Sequence, residues 1–143
     1  MRALLDINVL IALLDAQHVH HRTAFAWLQG NIADGWASGP LTQNGVIRIL
    51  SPPAYPGFVP PAAVAARLAE ATHTEWHRFW PDDVSLLDTA VANWDAVLGS
   101  RQVTDTYLLA LAVRHGGRFV SFDRKVNLRS VPGALRSNLV VIE

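Results

Sequence analysis

The apolar residues of this chain fall into short runs separated by proline, glycine and polar clusters, and the runs are of two kinds. "RFVSF" (118–122) and "LVVI" (139–142) are apolar without alternation, the pattern of strands covered on both faces. Arg2–Leu5 reads as a further strand, and Gly35–Ala37 and His77–Trp80 as two short ones. Between them the apolar positions recur at helical spacing. This predicts helices over about Val9–Asp15, His21–Gln29 and Thr42–Leu50, and a fourth in which Pro60 and Pro61 suit the first turn of "AAVAARLAEAT". "LLDTAVANWDAVLG" (86–99) reads as a helix closed by Gly99. "VTDTYLLALAVRHGG" reads as one from about Thr104 to His115, with Gly116 or Gly117 as its left-handed cap. The stretch "SPPAYPGFVPP" (51–61) is a loop. Strands that alternate with helices predict a parallel sheet in an α/β sandwich, and 143 residues suit one domain.

Composition narrows the chemistry. The absence of cysteine excludes disulfides and thiolate metal sites and is compatible with a reducing cytoplasm. The apolar segment Ala3–Leu14 is too short to span a membrane and is interrupted by Asp6 and Asn8, so it is expected to be mature structure. Formal net charge is zero, which argues against coating nucleic acid through bulk charge. The charges are unevenly spread, however: residues 1–100 hold five basic and nine acidic residues, and 101–143 hold seven and three. Arg114, Arg118, Arg124, Lys125, Arg129 and Arg136 could therefore form a face for phosphates, or simply a solvated one.

Three acids carry the functional argument. In an open parallel sheet, ligands sit outside the carboxyl ends of the strands where the strand order reverses. Asp6 directly follows the first strand, Asp123 directly follows "RFVSF", and Asp105 opens the helix that feeds that strand, after Thr104 as a plausible N-cap. Each has a plain structural use: a helix cap for Asp6 or Asn8, a dipole partner for Asp105, a turn for Asp123. Convergence at one end of the sheet is not explained by three independent uses. Clustered carboxylates repel one another unless a cation joins them, and an all-oxygen ligand set selects a hard ion, Mg²⁺ or Mn²⁺. Such an ion activates water and stabilises charge in phosphoryl chemistry.

The segments "LLDINVLIALL", "PLTQNGVIRIL", "VTDTYLLALAVRHGGRFVSFD" and "LVVIE" resemble the PIN-domain ribonucleases, specifically the VapC toxins of bacterial toxin–antitoxin pairs, over nearly the whole chain. The resemblance implies a single PIN domain over residues 1–143, built as a three-layer α/β/α sandwich with a central, mainly parallel sheet. It also implies a homodimer, Mg²⁺- or Mn²⁺-dependent cleavage of RNA, and inhibition by a VapB antitoxin. Carried over by position, Asp6 and Asp105 are expected as metal ligands and Asp123 as the further acid that orients the attacking water or a second ion. Gln43, Thr104 and Asn8 are the candidates for positioning water or substrate. One position departs from the family pattern. Members usually carry glutamate where this chain has Gln43, and an amide keeps an acceptor oxygen but loses charge and cannot act as a base. A site relying on one metal more than two is expected.

Other signals count for less. The spacing of His18, His20 and His21 in "HVHH" matches no common zinc pattern, and His115 suits a helix C-terminus better than a catalytic base. Trp27, Trp76, Trp80 and Trp94 could stack on unpaired bases, but Trp27 and Trp94 fall within predicted amphipathic helices and read as core or dimer contacts. Two further functions compete with the ribonuclease: a silent module that binds RNA or a partner, with Gln43 marking a lost active site, and an aspartyl-nucleophile phosphatase built on Asp6.

Overall fold

The structure, a computed structural model, describes all of residues 1–143. Five parallel strands form its centre: β1 (Ala3–Leu5), β2 (Trp36–Ser38), β3 (His77–Phe79), β4 (Arg118–Ser121) and β5 (Leu139–Val141), in the order β3-β2-β1-β4-β5. Helices α1 (Ile7–Leu14), α2 (His21–Asn31), α3 (Pro40–Leu50) and α4 (Pro61–Thr72) cover one face, and α5 (Val103–Arg114) covers the other. The result is the expected three-layer α/β/α sandwich. From β1 the chain proceeds outward to β2 and β3, then returns past β1 to add β4 and β5. The order therefore reverses between β1 and β4, which puts a ligand crevice at their carboxyl ends.

Strand alternation sorts the core. Ala3 and Leu5 pack with Val9, Val46 and Val64 on the four-helix face, while Leu4 packs with Leu108, Leu111 and Phe119 under α5. Leu4, Leu5, Phe119 and Val120 are completely buried, as strands covered on both sides require. Gly45, inside the "TQNG" segment, lets α3 close on α1. A Cβ there would lie 2.5 Å from Ile7 Cδ1, so the missing side chain seats Ile7, the residue next to Asp6.

The predicted helix over 86–99 does not form. That segment is a chain of turns with one 3-10 turn at Trp94–Ala96, and Leu87 and Leu98 are exposed. Short polar side chains capture the backbone donors a helix would need: Ser85 Oγ accepts from Leu87 N, Asp88 Oδ1 from Ala90 N and Asn93 Oδ1 from Asp95 N. Thr104 is not the N-cap of α5, because the helix begins at Val103 with Gln102 in the cap position, leaving Thr104 exposed in the first turn. Helix α1 begins two residues before its predicted start, since Asp6 caps it directly. No helix is long and apolar enough to cross a membrane.

Candidate active site

Alternation continues past the strand ends and aims the acids. Leu4 faces α5, so Asp6 two residues on faces the same way; Phe119 faces α5, so Ser121 does too. The register pairs Leu5 with Val120, which sets Asp6 beside Ser121 one step further on. Ser121 Oγ donates to Asp6 Oδ2 at 2.7 Å, and Asp6 Oδ1 accepts from the backbone N–H of Ile7 at 2.7 Å. Asp6 thus caps α1 through one oxygen and is held to β4 through the other, with the residue 6 % exposed.

The Ser121 hydroxyl also accepts from the backbone N–H of Asp123 at 3.0 Å, fixing the turn that leaves β4. Asp123 Oδ1 in turn accepts from Lys125 N at 2.8 Å, so its second oxygen is left to face the crevice or solvent. Asp105 stands half-buried in the first turn of α5. The plain structural uses of these acids are therefore real, and they coexist with proximity, because the charges of Asp6 and Asp123 bear on Asp105 and that of Asp123 bears on Asp6. Burial first, then the charges of Asp6 and Asp123, pushes Asp105 up to about 6. Burial also raises Asp6, with Asp123 adding to the shift and the bonds from Ser121 and Ile7 opposing it. No three acid or histidine side chains stand close enough to form a ready-made metal cage.

The remaining candidates are spread around this mouth. Gln43 lies in the first turn of α3, on the four-helix face of the sheet. Its Nε2 donates to Ser38 Oγ at 3.1 Å, and Ser38 Oγ lies 2.8 Å from His77 Nε2. The amide is thus engaged with the end of β2 and with none of the three acids. Asn8 is exposed in the first turn of α1. His115, at the far end of α5 and about 15 Å of helix from Asp105, stacks on Trp80 at 4.6 Å and meets Asp83 Oδ1 at 3.0 Å. In "HVHH", His18 Nδ1 accepts from His20 N at 3.0 Å and His21 Nδ1 lies 2.7 Å from Ala12 O, so both nitrogens are used in shaping a turn.

The basic residues do not make one face. Arg118 opens β4, at the edge opposite the acids, where it bonds Asn31 and Asp34 and lies over the Trp27 ring at 5.1 Å; Arg124 pairs with Glu143. Arg101 and Lys125 instead line an open hollow together with Asp123. Ser121 was not singled out from the sequence, although its signal was present: it sits two residues before Asp123 in an otherwise apolar run and in register with Asp6.

A parallel sheet covered on both sides, with acids gathered where its strand order reverses, defines a class: residues 3–133 match the family described as PIN domain, and the chain belongs to that family. Within it, the chain is 51 % identical over 142 residues to the Mycobacterium tuberculosis protein named Ribonuclease VapC44, covering 99 % of this chain and all of the relative. It is 47 % identical over 124 residues to Ribonuclease VapC39 and 42 % identical over 125 residues to Ribonuclease VapC38 of the same species. Those alignments cover 86 % and 87 % of this chain, and 89 % and 86 % of the relatives.

Proposed function

We propose that this protein is a metal-dependent endoribonuclease acting as the toxin of a VapBC-type toxin–antitoxin pair in the cytoplasm, as a homodimer restrained by a small VapB-type antitoxin. The observation that carries the reading is that Asp6 and Asp123 follow adjacent strands at the switch point of the sheet and both bear on Asp105 in the first turn of α5, in a chain similar over nearly its whole length to proteins named ribonucleases. The donor set fits Mg²⁺ or Mn²⁺. These ions keep several waters and need one or two carboxylates, so the absence of a three-acid cage is no obstacle. Asp6 and Asp105 would hold the ion in this reading, and Asp123 would orient its water. When bound, the ion acidifies a water and neutralises charge developing on the phosphate.

The chain's own groups do the rest. Ser121 holds the Asp6 carboxylate in one rotamer through Oδ2, and the Ile7 N–H, bonding Oδ1, favours its ionised form against the effect of burial. Asp105, pushed up by burial and by the charges of Asp6 and Asp123, is the group whose repulsion a bound cation would relieve most. Thr104 and Asn8 stand exposed in the first turns of α5 and α1, where they can position water or the RNA backbone, and Gln43 can do so from α3 by releasing Ser38.

The test is incubation of labelled transfer and ribosomal RNA with the protein, with and without Mg²⁺ or Mn²⁺, beside Asp6→Asn and Asp105→Asn. Metal-dependent cuts lost in both variants are expected. RNA bound but not cut would leave a silent binding module in place of the nuclease, and phosphate release from a small ester would favour the phosphatase.

A further inference from the structure

The segment that fails to be a helix builds something else. The 3-10 turn at Trp94–Ala96 is stapled to a second one at Leu128–Ser130: Asn93 N donates to Ser130 O at 2.8 Å, and Asn127 Nδ2 donates to Ala96 O at 3.4 Å. A furrow runs along these joined turns. It starts at the hollow lined by Asp123, Arg101 and Lys125, continues past Leu98 and Asn127 into a second hollow with Arg129, and ends in a third beside Trp94. The first two hollows meet at Leu98, and the second and third share Asn93, Asp95 and Arg129.

Two features of the furrow are unused by the fold. The chain's ion pairs involve neither Arg101, Lys125 nor Arg129, so three cations line the furrow against Asp95 as its one acid outside the proposed catalytic set. Trp94 is 44 % exposed although its indole N–H is fixed by a bond to Leu86 O at 3.1 Å. A large ring held in one orientation with its surface in water is preorganised for a flat ligand, because little side-chain freedom is left to lose on binding. Backbone phosphates and an unpaired base are the ligands that match a row of cations ending at an aromatic ring.

We propose that this furrow is a subsite for single-stranded RNA on one side of the cleaved bond: Arg101 and Lys125 hold the adjacent phosphate, and Trp94, flanked by Arg129, stacks on an unpaired base further along. It rests on the nuclease reading for the position of the cleaved bond and supplies what the acids lack, a grip on flanking nucleotides. A duplex cannot use it, since paired bases present no free face.

The experiment measures binding and cutting separately with the full chain. A fluorescein-labelled, unstructured RNA dodecamer is titrated in Ca²⁺ and followed by anisotropy, and its cleavage is then followed in Mn²⁺. Trp94→Ala is expected to raise Kd about 5- to 150-fold, and Trp94→Phe to recover most of the loss. Arg129→Gln is expected to reduce the slope of log K against log salt by about one. In cleavage the same variants raise KM and leave kcat unchanged, and duplex RNA of the same sequence binds wild type and Trp94→Ala alike. Thermal unfolding of each variant shows that the fold is intact. Equal RNA affinity in wild type and Trp94→Ala overturns the subsite, as does an effect confined to self-association or to binding of another protein. Cleavage with unchanged KM in the variants sinks the subsite and spares the nuclease; Trp94-dependent binding with no cleavage in any metal sinks the nuclease and spares the subsite.

Discussion

The hydroxyl of Ser121, completely buried, ties Asp6 Oδ2 at 2.7 Å to the chain that leaves β4, so the two strands flanking the switch point share one acid–hydroxyl bond. A hydrogen bond to an ionised group is worth about 1.5–3 kcal/mol. Ser121→Ala is expected to lower unfolding free energy by about that amount at neutral pH. Because the bond holds the Asp6 carboxyl down against burial, its loss should also move the acidic limb of the cleavage pH profile upward. Denaturant unfolding and a pH–rate profile check both; an unshifted profile would mean that Asp6 ionisation does not limit the reaction.

Asp105 sets a second expectation, with a definite sign. In the metal-free fold its carboxyl titrates at about 6, above the ordinary aspartate range near 4, because burial and the charges of Asp6 and Asp123 disfavour ionisation. Between those values the folded state binds more protons than the unfolded chain, so stability attributable to Asp105 is present below about pH 4 and lost as pH rises through 6. Asp105→Asn should therefore melt at higher temperature than wild type at pH 7.5 in EDTA. Adding Mn²⁺ should raise the melting temperature of wild type and leave that of Asp105→Asn nearly unchanged, since an ion that binds only the folded site stabilises by mass action. Equal metal shifts in both proteins would remove Asp105 from the ligand set.

Gln43 bears on the number of metal ions. Its amide donates to Ser38 and brings no charge to the mouth. A carboxylate at that position adds one negative charge at the carboxyl ends of the strands, and a divalent ion held there should respond. Gln43→Glu is expected to tighten Mn²⁺ binding in a calorimetric titration and to raise the cleavage rate at low metal. Unchanged affinity and rate would show that the amide costs the site no second ion.

How far the residues alone lead can be traced at particular positions. The sheet was legible because β4 and β5 centre on apolar residues without alternation and because proline and glycine punctuate the chain at Pro40, Pro61 and Gly116. Asp6 and Asp123 were legible for a topological reason: both follow strands, and strand ends at a reversal of order meet. Segment 86–99 was misread because helical periodicity and Asx-type turns draw on the same residues. Its shape is set by Asn93 bonding to Ser130, 37 positions away, which no local pattern encodes. The tie between Gln43 and Ser38, five positions apart, was hidden for a different reason, since it depends on how α3 turns back over the end of β2.

The two glycines after α5 test whether neighbouring residues of one type serve different physics. Gly116 sits at φ 66° with open space where a Cβ would go, so its demand is purely conformational. Gly117 has no such backbone constraint, but a Cβ there would lie 2.6 Å from the backbone oxygen of Arg2 and 2.6 Å from the Trp80 ring. Gly116→Ala is expected to cost about 1–2 kcal/mol, and Gly116→Asn less, because asparagine tolerates the left-handed region. Gly117→Ala should cost about 1–3 kcal/mol or more, with no relief from Asn, because the Arg2 carbonyl belongs to the β1–β4 ladder, where it accepts from Arg118 N, and cannot give way. Urea unfolding of the four variants Gly116→Ala, Gly116→Asn, Gly117→Ala and Gly117→Asn decides it: matched costs at the two positions for Asn would mean that strain, and not close approach of β1, Trp80 and β4, explains the pair.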